Sequence, residues 1–317
     1  MDMTCVDEVL SCADPDSWRP GDSWLAGGTV LFSSGTDITR GAPTRLLDIT
    51  EAGWEPTRWN ACDSRVGKVD GRVGELEIAA TCRIAEIYGF ASAGNLPQPS
   101  SAVPNSELPG LDLFAPCCDS FVASWKIWNA STIGGNVATA LPAGPMISLL
   151  AGLDATALLL GPSGSRRSLP VADLVLGEAR TALCEGELIR SFHLDIATLR
   201  QPCAFRRISL TERGRSAALL IGRLLDDGRI RLTLTASTKR PHIVELGDDA
   251  NHPATSAGLH AAIDAAVEGN WHDDIHGSPR WREAMTHRLG EEILGELLAW
   301  QTIPNRTGDI SMTRRPA

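Results

Sequence analysis

The first two-thirds of the chain alternates short apolar runs with turn residues, a pattern that predicts strands rather than long helices. Glycine, proline and acidic residues bound these runs and mark the turns between them. Asp70-Gly71 and the segment ending in Gly228 each lie between two apolar runs and predict β-hairpins. The predicted strands span residues 24–26, 46–49, 65–69, 73–78, 155–160, 168–171, 188–194, 216–221 and 230–235.

Longer helical patterns appear after residue 200. In the last of them an apolar residue recurs at every fourth position, so one stripe faces a core. The stripe comprises Trp281, Met285, Leu289, Ile293 and Leu297, and it follows a cap residue and a proline, Ser278 and Pro279. Other predicted helices span residues 111–126, 146–153 and 255–267, with a helical turn capped by Thr29 and a helix capped by Thr81. Residues 1–23 are predicted to be a polar lead-in, and residues 89–110 a connection with little regular structure.

Length and composition indicate a globular protein of two or three domains. The chain has 317 residues, 43% of them hydrophobic and 21% charged, and this length exceeds what one core usually supports. The net charge of −10 argues against nucleic acid and anionic membrane surfaces as partners. No apolar run reaches the ~18–20 residues that span a bilayer. Residues 1–8 are acidic and lack the features of a secretion signal, so we expect a cytoplasmic protein.

The eight cysteines are scattered and include no Cys-x-x-Cys pair, so neither a disulfide framework nor a zinc finger is predicted. Cys117 and Cys118 are adjacent, but a vicinal disulfide is strained and a metal cluster would need further ligands nearby. Packing of both thiols within a helix is the favoured interpretation.

Two double glycines are the candidates for chemistry: LAGGT at residues 25–29 and TIGGN at residues 132–136. Glycine tolerates positive φ and lets a ligand approach the main chain, and consecutive exposed amides form a concavity that holds anionic oxygens. We predict that the two segments face each other across one pyrophosphate. Because turns use glycine in any protein, two structural turns remain the alternative.

Other nucleotide and hydrolase motifs are missing from the sequence. There is no Gly-x-Gly-x-x-Gly of the usual dinucleotide fold, and no glycine loop ends in Lys-Ser or Lys-Thr. There is also no Gly-x-Ser-x-Gly elbow to present a nucleophilic serine.

Further segments accompany the two glycine pairs in a recognisable order: LLDI at 46–49, TALPAG at 139–144, LDA at 153–155, GSR at 164–166, AFRR at 204–207 and DIHGSPRWR at 274–282. With them, the chain resembles the FAD-binding medium subunit of the molybdenum hydroxylases, the family of the xanthine dehydrogenase and CO dehydrogenase flavoproteins. The resemblance covers nearly the whole chain.

The resemblance implies an α+β fold with two parts. A two-part FAD-binding domain of the vanillyl-alcohol-oxidase type would span residues 1–195, with subdomains at about 1–60 and 61–195. A C-terminal α+β domain like that of the CO dehydrogenase flavoproteins would span residues 200–317.

The resemblance also implies a set of cofactor contacts, with the FAD diphosphate between the two glycine segments and Ile189 near the flavin ring. The implied contact residues are Leu25, Ala26, Gly27, Gly28, Thr29, Val30, Thr132, Ile133, Gly134, Gly135, Asn136, Ala140 and Ile189. Phe205 and Arg206 are weaker candidates for the same neighbourhood. Val30 replaces a polar residue usual in the family and Pro145 replaces an aspartate, which removes two hydrogen bonds to FAD, about 1 kcal/mol each.

By the same resemblance, the chain relays electrons through FAD within a larger oxidoreductase. A small partner subunit would carry two two-iron–two-sulfur clusters and a large one the molybdenum cofactor, in a dimer of heterotrimers. The electron acceptor would be NAD, oxygen or a quinone-linked carrier. The flavin performs the redox chemistry, so no catalytic acid, base or nucleophile is assigned to this chain.

No metal is expected in this chain, because the cysteine-rich insertion that holds a four-iron cluster in some relatives is missing. His272 and His276 flank two carboxylates at a spacing that suits a divalent ion on a helix. The glycine and proline at 277 and 279 instead predict a loop before the last helix.

Two other functions remain open. A structural subunit that has lost FAD is suggested by Val30 and Pro145. A free-standing flavin oxidase is the weaker possibility.

Overall fold

The computed structural model describes residues 6–32, 43–61, 74–92, 107–248 and 251–302. Short strands and helices alternate in an α+β arrangement built on three main sheets. Within these ranges, none of the helices combines the length and the apolar character needed to cross a bilayer.

The first sheet is small and parallel. It comprises β1 (Glu8–Ser11), β2 (Asp22–Leu25) and β3 (Arg45–Asp48), in the order β1-β3-β2. The Arg45 guanidinium bonds the Asp22 carboxylate, with Nε 3.0 Å from Oδ1, and ties β2 to β3. The predictions at 24–26 and 46–49 are confirmed, whereas β1 lies in the segment predicted to be a lead-in. All four β1 residues are exposed, so β1 has no alternating burial pattern that the sequence could reveal.

The second sheet is antiparallel and has the order β4-β5-β10-β6-β7. Its strands are β4 (Thr57–Ala61), β5 (Gly74–Ala79), β6 (Thr156–Leu160), β7 (Arg166–Pro170) and β10 (Leu188–Asp195). The predicted strands at 73–78, 155–160, 168–171 and 188–194 are confirmed. The predicted strand at 65–69 and the Asp70-Gly71 turn lie outside the described residues, and β5 pairs with β4.

Seven helices and a small hairpin surround this sheet in the described residues. They are α1 (Ile84–Ser92), α2 (Phe114–Asp119), α3 (Trp125–Trp128), α4 (Ile133–Thr139), α5 (Pro145–Gly152), α6 (Val171–Leu174) and α7 (Ile196–Leu199), with β8 (Val175–Gly177) and β9 (Arg180–Thr181). α5 confirms the helix predicted at 146–153, and all of its residues are buried. It is therefore the central helix of this region.

Three helix predictions are corrected. The helix predicted over 111–126 is a 3-10 helix, Pro109–Leu113, followed by α2, a break and α3. The Ser120 hydroxyl donates to the Pro116 carbonyl at 2.8 Å and helps to end α2. Thr81 does not cap α1, because α1 begins at Ile84 and the Glu86 carboxylate accepts from the Arg83 amide. The turn predicted after Thr29 is present, closed by the Phe32 amide on the Gly28 carbonyl, but Thr29 does not cap it, because its hydroxyl meets that of Ser131.

The C-terminal part is a four-stranded antiparallel sheet packed against two helices. It comprises β11 (Cys203–Ile208), β12 (Ala218–Leu224), β13 (Ile230–Thr235), β14 (His242–Leu246), α8 (Ser256–Val267) and α9 (Pro279–Gln301). The hairpin at Gly228 is confirmed, since its φ of +86° suits the tight turn between β12 and β13. α8 and α9 also confirm their predictions, with Thr255 capping α8 by accepting from the Gly258 amide at 3.1 Å.

The two parts meet where α5 packs on β12 and β13. A Cβ on Gly152 would lie 2.7 Å from the Ile221 side chain, so the helix end lies directly against the sheet. Asp154, just after α5, forms ion pairs with both Arg223 and Arg231. Because the Arg223 side chain is only 2% exposed, this carboxylate balances a buried charge across the junction.

Candidate functional site

The first double-glycine segment touches residues 130 and 131, which directly precede the second segment, although about a hundred residues separate the two in the chain. A Cβ on Gly27 would lie 1.9 Å from the Ala130 carbonyl oxygen, so the two backbones are closer than a side chain would allow. The Thr29 and Ser131 hydroxyls lie 3.0 Å apart and share a hydrogen bond. The structure therefore brings the first glycine segment close to the start of the second, while a pyrophosphate between them stays a prediction.

A largely apolar cleft of about 90 Å³ opens beside this contact. Four of the sequence-predicted residues line it: Ala26, Gly134, Gly135 and Ile189. The sequence analysis did not identify the other lining residues, which are Trp24, Ile49, Ala80, Ala138, Leu183, Glu187 and Leu188. Two features of the sequence could have indicated some of them. Trp24 begins one predicted strand and Ile49 ends another, and Glu187 and Leu188 immediately precede Ile189.

The remaining predicted residues lie beside the cleft or away from it. Seven of them are close in sequence to lining residues but do not line the cleft themselves: Leu25, Gly27, Gly28, Thr29, Thr132, Ile133 and Asn136. Val30 is 48% exposed at the surface. Ala140 is buried at the end of α4, with a left-handed φ of +52°. The Asn136 side chain accepts from the Met146 amide at 3.1 Å and joins α4 to α5.

The second glycine pair lies in the first turn of α4 and does not form the predicted concavity of free amides. Its amides are bonded within the protein: Ile133 to the Cys82 carbonyl, Gly134 to the Ala80 carbonyl, Gly135 to Thr132 Oγ1 and Asn136 to the Thr132 carbonyl. Thr132 acts as a helix cap, and α4 packs on the end of β5. The segment is therefore a helix start that closes one wall of the cleft.

The first glycine pair keeps its donors free. The amides of Gly27, Gly28 and Thr29 make no hydrogen bond to any residue in the described part of the chain. Gly28 has a left-handed φ of +66°, which turns the chain sharply after β2. Of the two glycine segments, the first therefore has the unbonded amides that an anionic group requires.

The cleft carries one ionised side chain, Glu187. Arg167 binds it through two hydrogen bonds of 2.7 Å, and the Cys184 amide adds a third of the same length. The hydrogen bond from Arg167 is the main reason that the pKa of Glu187 lies below its usual value. The carboxylate is thus charged, oriented and largely balanced by its partner.

A family model described as the FAD binding domain in molybdopterin dehydrogenase matches residues 66–194. This matched range contains α4 and Ile189, which both contribute to the lining of the cleft. Residues 66–194 are therefore similar to the FAD-binding domain of the molybdopterin dehydrogenases. No curated protein sequence matches the chain significantly.

Solved structures extend the similarity in fold beyond this FAD-binding domain. A chain of quinoline 2-oxidoreductase from Pseudomonas putida 86 aligns with a TM-score of 0.69 at 18% identity, covering 96% of this chain and 100% of that one. A chain of carbon monoxide dehydrogenase from Hydrogenophaga pseudoflava gives 0.70 at 20% identity, covering 92% and 97%. One from Oligotropha carboxidovorans gives 0.68 at 19%, covering 93% and 98%. The chain therefore shares its fold with these oxidoreductase chains along nearly its whole length.

The types of residue that line the cleft suit an FAD. Small residues at 26, 134, 135 and 138 keep the slot open, and the free amides of the first glycine pair provide donors beside it. Trp24 adds a ring nitrogen, Nε1, that is buried without a hydrogen-bond partner. Hydrogen-bond donors near the cleft and one carboxylate among its lining residues suit a molecule with both phosphate oxygens and hydroxyl groups.

Phe205 and Arg206 are not among the residues that line the cleft beside the FAD-binding domain. The Arg206 guanidinium bonds Glu292 and Glu296 on α9, at 3.0 and 2.8 Å. These salt bridges fasten β11 to α9, so Arg206 has a structural role in this conformation.

The segment from His272 to His276 forms the predicted loop ahead of α9. Asp274 in this loop pairs with Arg282, whose side chain is 1% exposed and also donates to the carbonyls of Ala217 and Ala236. The loop therefore anchors α9 to the sheet. Within the described ranges, no group of three or more His, Cys, Asp and Glu side chains is arranged to hold a metal ion.

Proposed function

We propose that this chain is the flavoprotein subunit of a molybdenum-containing hydroxylase or dehydrogenase, and that it passes electrons from iron–sulfur clusters of a partner subunit through FAD to an external acceptor. The observation that carries the proposal is the cleft itself, which forms between two glycine segments and is walled in part by an FAD-binding domain. The similarity in fold to chains of quinoline 2-oxidoreductase and carbon monoxide dehydrogenase supports it.

Different residues in and beside the cleft bind different parts of FAD. The amides of Gly27, Gly28 and Thr29 bind the diphosphate, because they are the unbonded donors beside the slot. Ile189 and its apolar neighbours Leu188 and Leu183 pack against the less polar part of the cofactor. When bound, FAD supplies the electron-transfer chemistry, and this chain binds it, orients it and excludes water.

We further propose that the partners are a large subunit with the molybdenum cofactor and a small subunit with two-iron–two-sulfur clusters, in a dimer of heterotrimers. The acceptor is NAD, oxygen or a quinone-linked carrier. Residues 1–195 would fold as the FAD-binding part and residues 200–317 as a second domain, in agreement with the separate sheets on either side of residue 200. One related structure is described as a carbon monoxide dehydrogenase lacking the molybdopyranopterin moiety, which supports a molybdenum-containing complex.

A structural subunit without FAD is the second candidate, and two observations favour it. The amides of residues 133–136 are bonded within the protein, so the diphosphate would have donors from one glycine segment only. The cleft is also smaller than the ~300–1,000 Å³ of typical small-molecule pockets.

Native copurification separates the two candidates. The full chain would be isolated with whatever chains accompany it, and its flavin would be released by denaturation and measured by absorbance. We expect close to one FAD per chain, together with a large molybdenum-containing and a small iron–sulfur chain. A colourless chain that still assembles with such partners would support the structural subunit instead. A monomer that turns over a substrate alone would contradict both.

A further inference from the structure

A second cavity, of about 460 Å³, lies in the C-terminal part of the chain. Its volume is within the ~300–1,000 Å³ that is typical of binding pockets. Three consecutive residues of β14 line it, Ile243, Val244 and Glu245. Because neighbouring side chains on a strand point to opposite faces, a cavity that meets all three lies along the edge of the strand. β14 is the last strand of its sheet in the described residues, so this edge is open.

The hydrogen-bond pattern of the sheet indicates which backbone groups of β14 point outward. In an antiparallel sheet, alternate residues bond to opposite neighbours. The Arg229 carbonyl accepts from the Leu225 amide, so Arg229 bonds toward β12, as does Arg231 two residues later. Glu245 lies opposite Arg231 in the register of β13 and β14, so its N–H and C=O point away from β13. Ile243, two residues before Glu245, points the same way.

The next residue in this series supports the assignment. The Gly247 amide bonds the His252 carbonyl at 3.0 Å, and not a residue of β13. None of the described segments provides such a partner for the outward groups of Ile243 and Glu245. β14 also lacks the proline and lysine residues that commonly protect an exposed edge. It therefore presents two pairs of donors and acceptors, roughly 7 Å apart, which match the backbone of an extended peptide.

Another wall of the cavity is α8, whose small side chains leave room for a larger one. Ala262, Ala265 and Ala266 share one face of the helix and line the cavity. Val244 belongs to the core that α8 covers, whereas Glu245 points to the other face of the sheet. A strand bound beside β14 would alternate in the same way. One of its side chains would lie against the alanines, and the two flanking side chains would lie on the side of Glu245.

Acidic groups predominate on the side of Glu245. Arg229 lines the cavity but is bonded to both Asp227 and Glu245. The Arg231 guanidinium lies 3.2 Å from a Glu245 oxygen and is shared with another carboxylate. Asp248 is exposed directly after the strand. The carboxylates therefore outnumber the two arginines, and this excess of negative charge favours a basic partner.

We propose that β14 and α8 form a groove that binds an extended peptide segment of a partner protein. The segment pairs with Ile243 and Glu245 through its backbone, places an apolar side chain against the alanines of α8, and carries a basic residue on either side of it. The residues that line this groove are separate from those that line the FAD cleft. The inference therefore goes beyond the proposed electron transfer and does not depend on FAD.

The test uses a fluorescein-labelled peptide, Thr-Arg-Leu-Arg-Thr, whose fluorescence polarisation is followed as the full chain is added. We expect saturable binding by the wild type. Ala265→Leu fills the groove from an exposed helix position and should weaken binding by at least about tenfold. Ala261→Leu is the matched control, because Ala261 is also exposed on α8 but does not line the cavity; it should bind within about twofold of the wild type. Both variants should fold, since leucine is nearly as good a helix former as alanine, and thermal melting checks this.

Modified peptides test the pairing of the two backbones and the role of charge. N-methylation removes an amide donor, and only alternate amides of a strand face one neighbour. Methylation of the leucine amide and methylation of the first arginine amide should therefore differ, one weakening binding by about tenfold and the other by less than about twofold. Equal effects would contradict strand pairing. Replacement of both arginines of the peptide by glutamate should also weaken binding by about tenfold.

Each further outcome also bears on the proposal. Equal affinity of the wild type and Ala265→Leu, or no binding by the wild type, would overturn it. Self-association of the wild type that is lost in Ala265→Leu would assign the groove to a second copy of the chain instead. Peptide binding that appears only in a chain shortened to residue 302 would assign it to the chain's own last residues. Flavin content is measured on the same preparations, and a lack of FAD would overturn the proposed function alone.

Discussion

The two glycine pairs of this protein have the same sequence, Gly-Gly, and opposite uses. At Gly27-Gly28 the amides make no hydrogen bond to a described residue, and the chain turns through a left-handed φ at Gly28. At Gly134-Gly135 the amides are bonded to the Ala80 carbonyl and to the Thr132 hydroxyl, and the pair begins α4. The first pair leaves its amides without a partner among the described residues, and the second joins a helix to the core.

The pairs also share a feature, because the first glycine of each allows two backbones to approach closely. Gly27 lies against the Ala130 carbonyl and Gly134 against Ala80. The two glycines of a pair therefore have separate roles. The first allows another backbone to approach closely, and the second allows a turn or leaves space beside the main chain. Substitutions at three of these glycines and at the neighbouring Thr29 should separate these needs, and the expected effects decrease in the order given below.

The largest effect is expected for Gly134→Ala. The new methyl would lie 2.6 Å from the Ala80 Cβ and 2.8 Å from the Ala80 carbonyl oxygen, which belongs to backbone that cannot move freely. We expect a loss of about 3 kcal/mol in the free energy of unfolding, typical of an overpacked core. Urea denaturation of the flavin-free chain measures it. An unchanged midpoint would show that close packing is not the role of Gly134.

Gly27→Ala should have the next largest effect, and mainly on ligand affinity. Its methyl would meet the Ala130 carbonyl oxygen at 1.9 Å and force the two glycine segments apart. Because the segment is only half-buried, we expect it to shift outward rather than unfold the protein. FAD binding should weaken by about thirtyfold, equal to roughly 2 kcal/mol. Titration of FAD measures this, and tight binding by the variant would contradict the idea that contact between the segments builds the site.

Gly135→Ala is the matched control for Gly134→Ala and has an intermediate effect. Its methyl would approach only the Thr132 hydroxyl, at 3.0 Å, and alanine favours a helix more than glycine does. We expect the free energy of unfolding to change by less than about 1 kcal/mol. Since Gly135 lines the cleft, FAD affinity should fall by about tenfold. Equal losses of stability in both variants would remove the distinction between the two glycines.

The smallest effect is expected for Thr29→Val, which keeps the shape of the side chain but loses the hydroxyl that meets Ser131 at 3.0 Å. One hydrogen bond of this kind contributes about 1 kcal/mol. Ser131→Ala should cost a similar amount, and the double variant should cost little more than either single one. Chemical unfolding of all three chains tests this, and strictly additive losses would mean that the bond contributes nothing.

Much of the fold follows from local patterns in the sequence. Gly228 and the flanking apolar runs predict the β12–β13 hairpin, and the stripe from Trp281 to Leu297 predicts α9. Such predictions succeed because turn geometry and helical periodicity depend on neighbours in the chain. The failures are β1, whose residues are all exposed, and the helix expected over 111–126, which the structure breaks before α3. Both depend on what the segment packs against, so tertiary contacts override propensity there.

The candidate site, like the fold, was predicted in part from the sequence and in part only by the tertiary structure. The sequence by itself determined that two glycine pairs exist, that they accompany the other segments of a flavoprotein family, and that Ile189 belongs with them. Only the tertiary structure decided which amides remain free, because a distant carbonyl at Ala80 and the cap at Thr132 occupy those of the second pair. It also added Trp24 and Glu187 to the cleft. A hydrogen bond needs its partner within about 3 Å, and long-range packing alone determines which partners come that close.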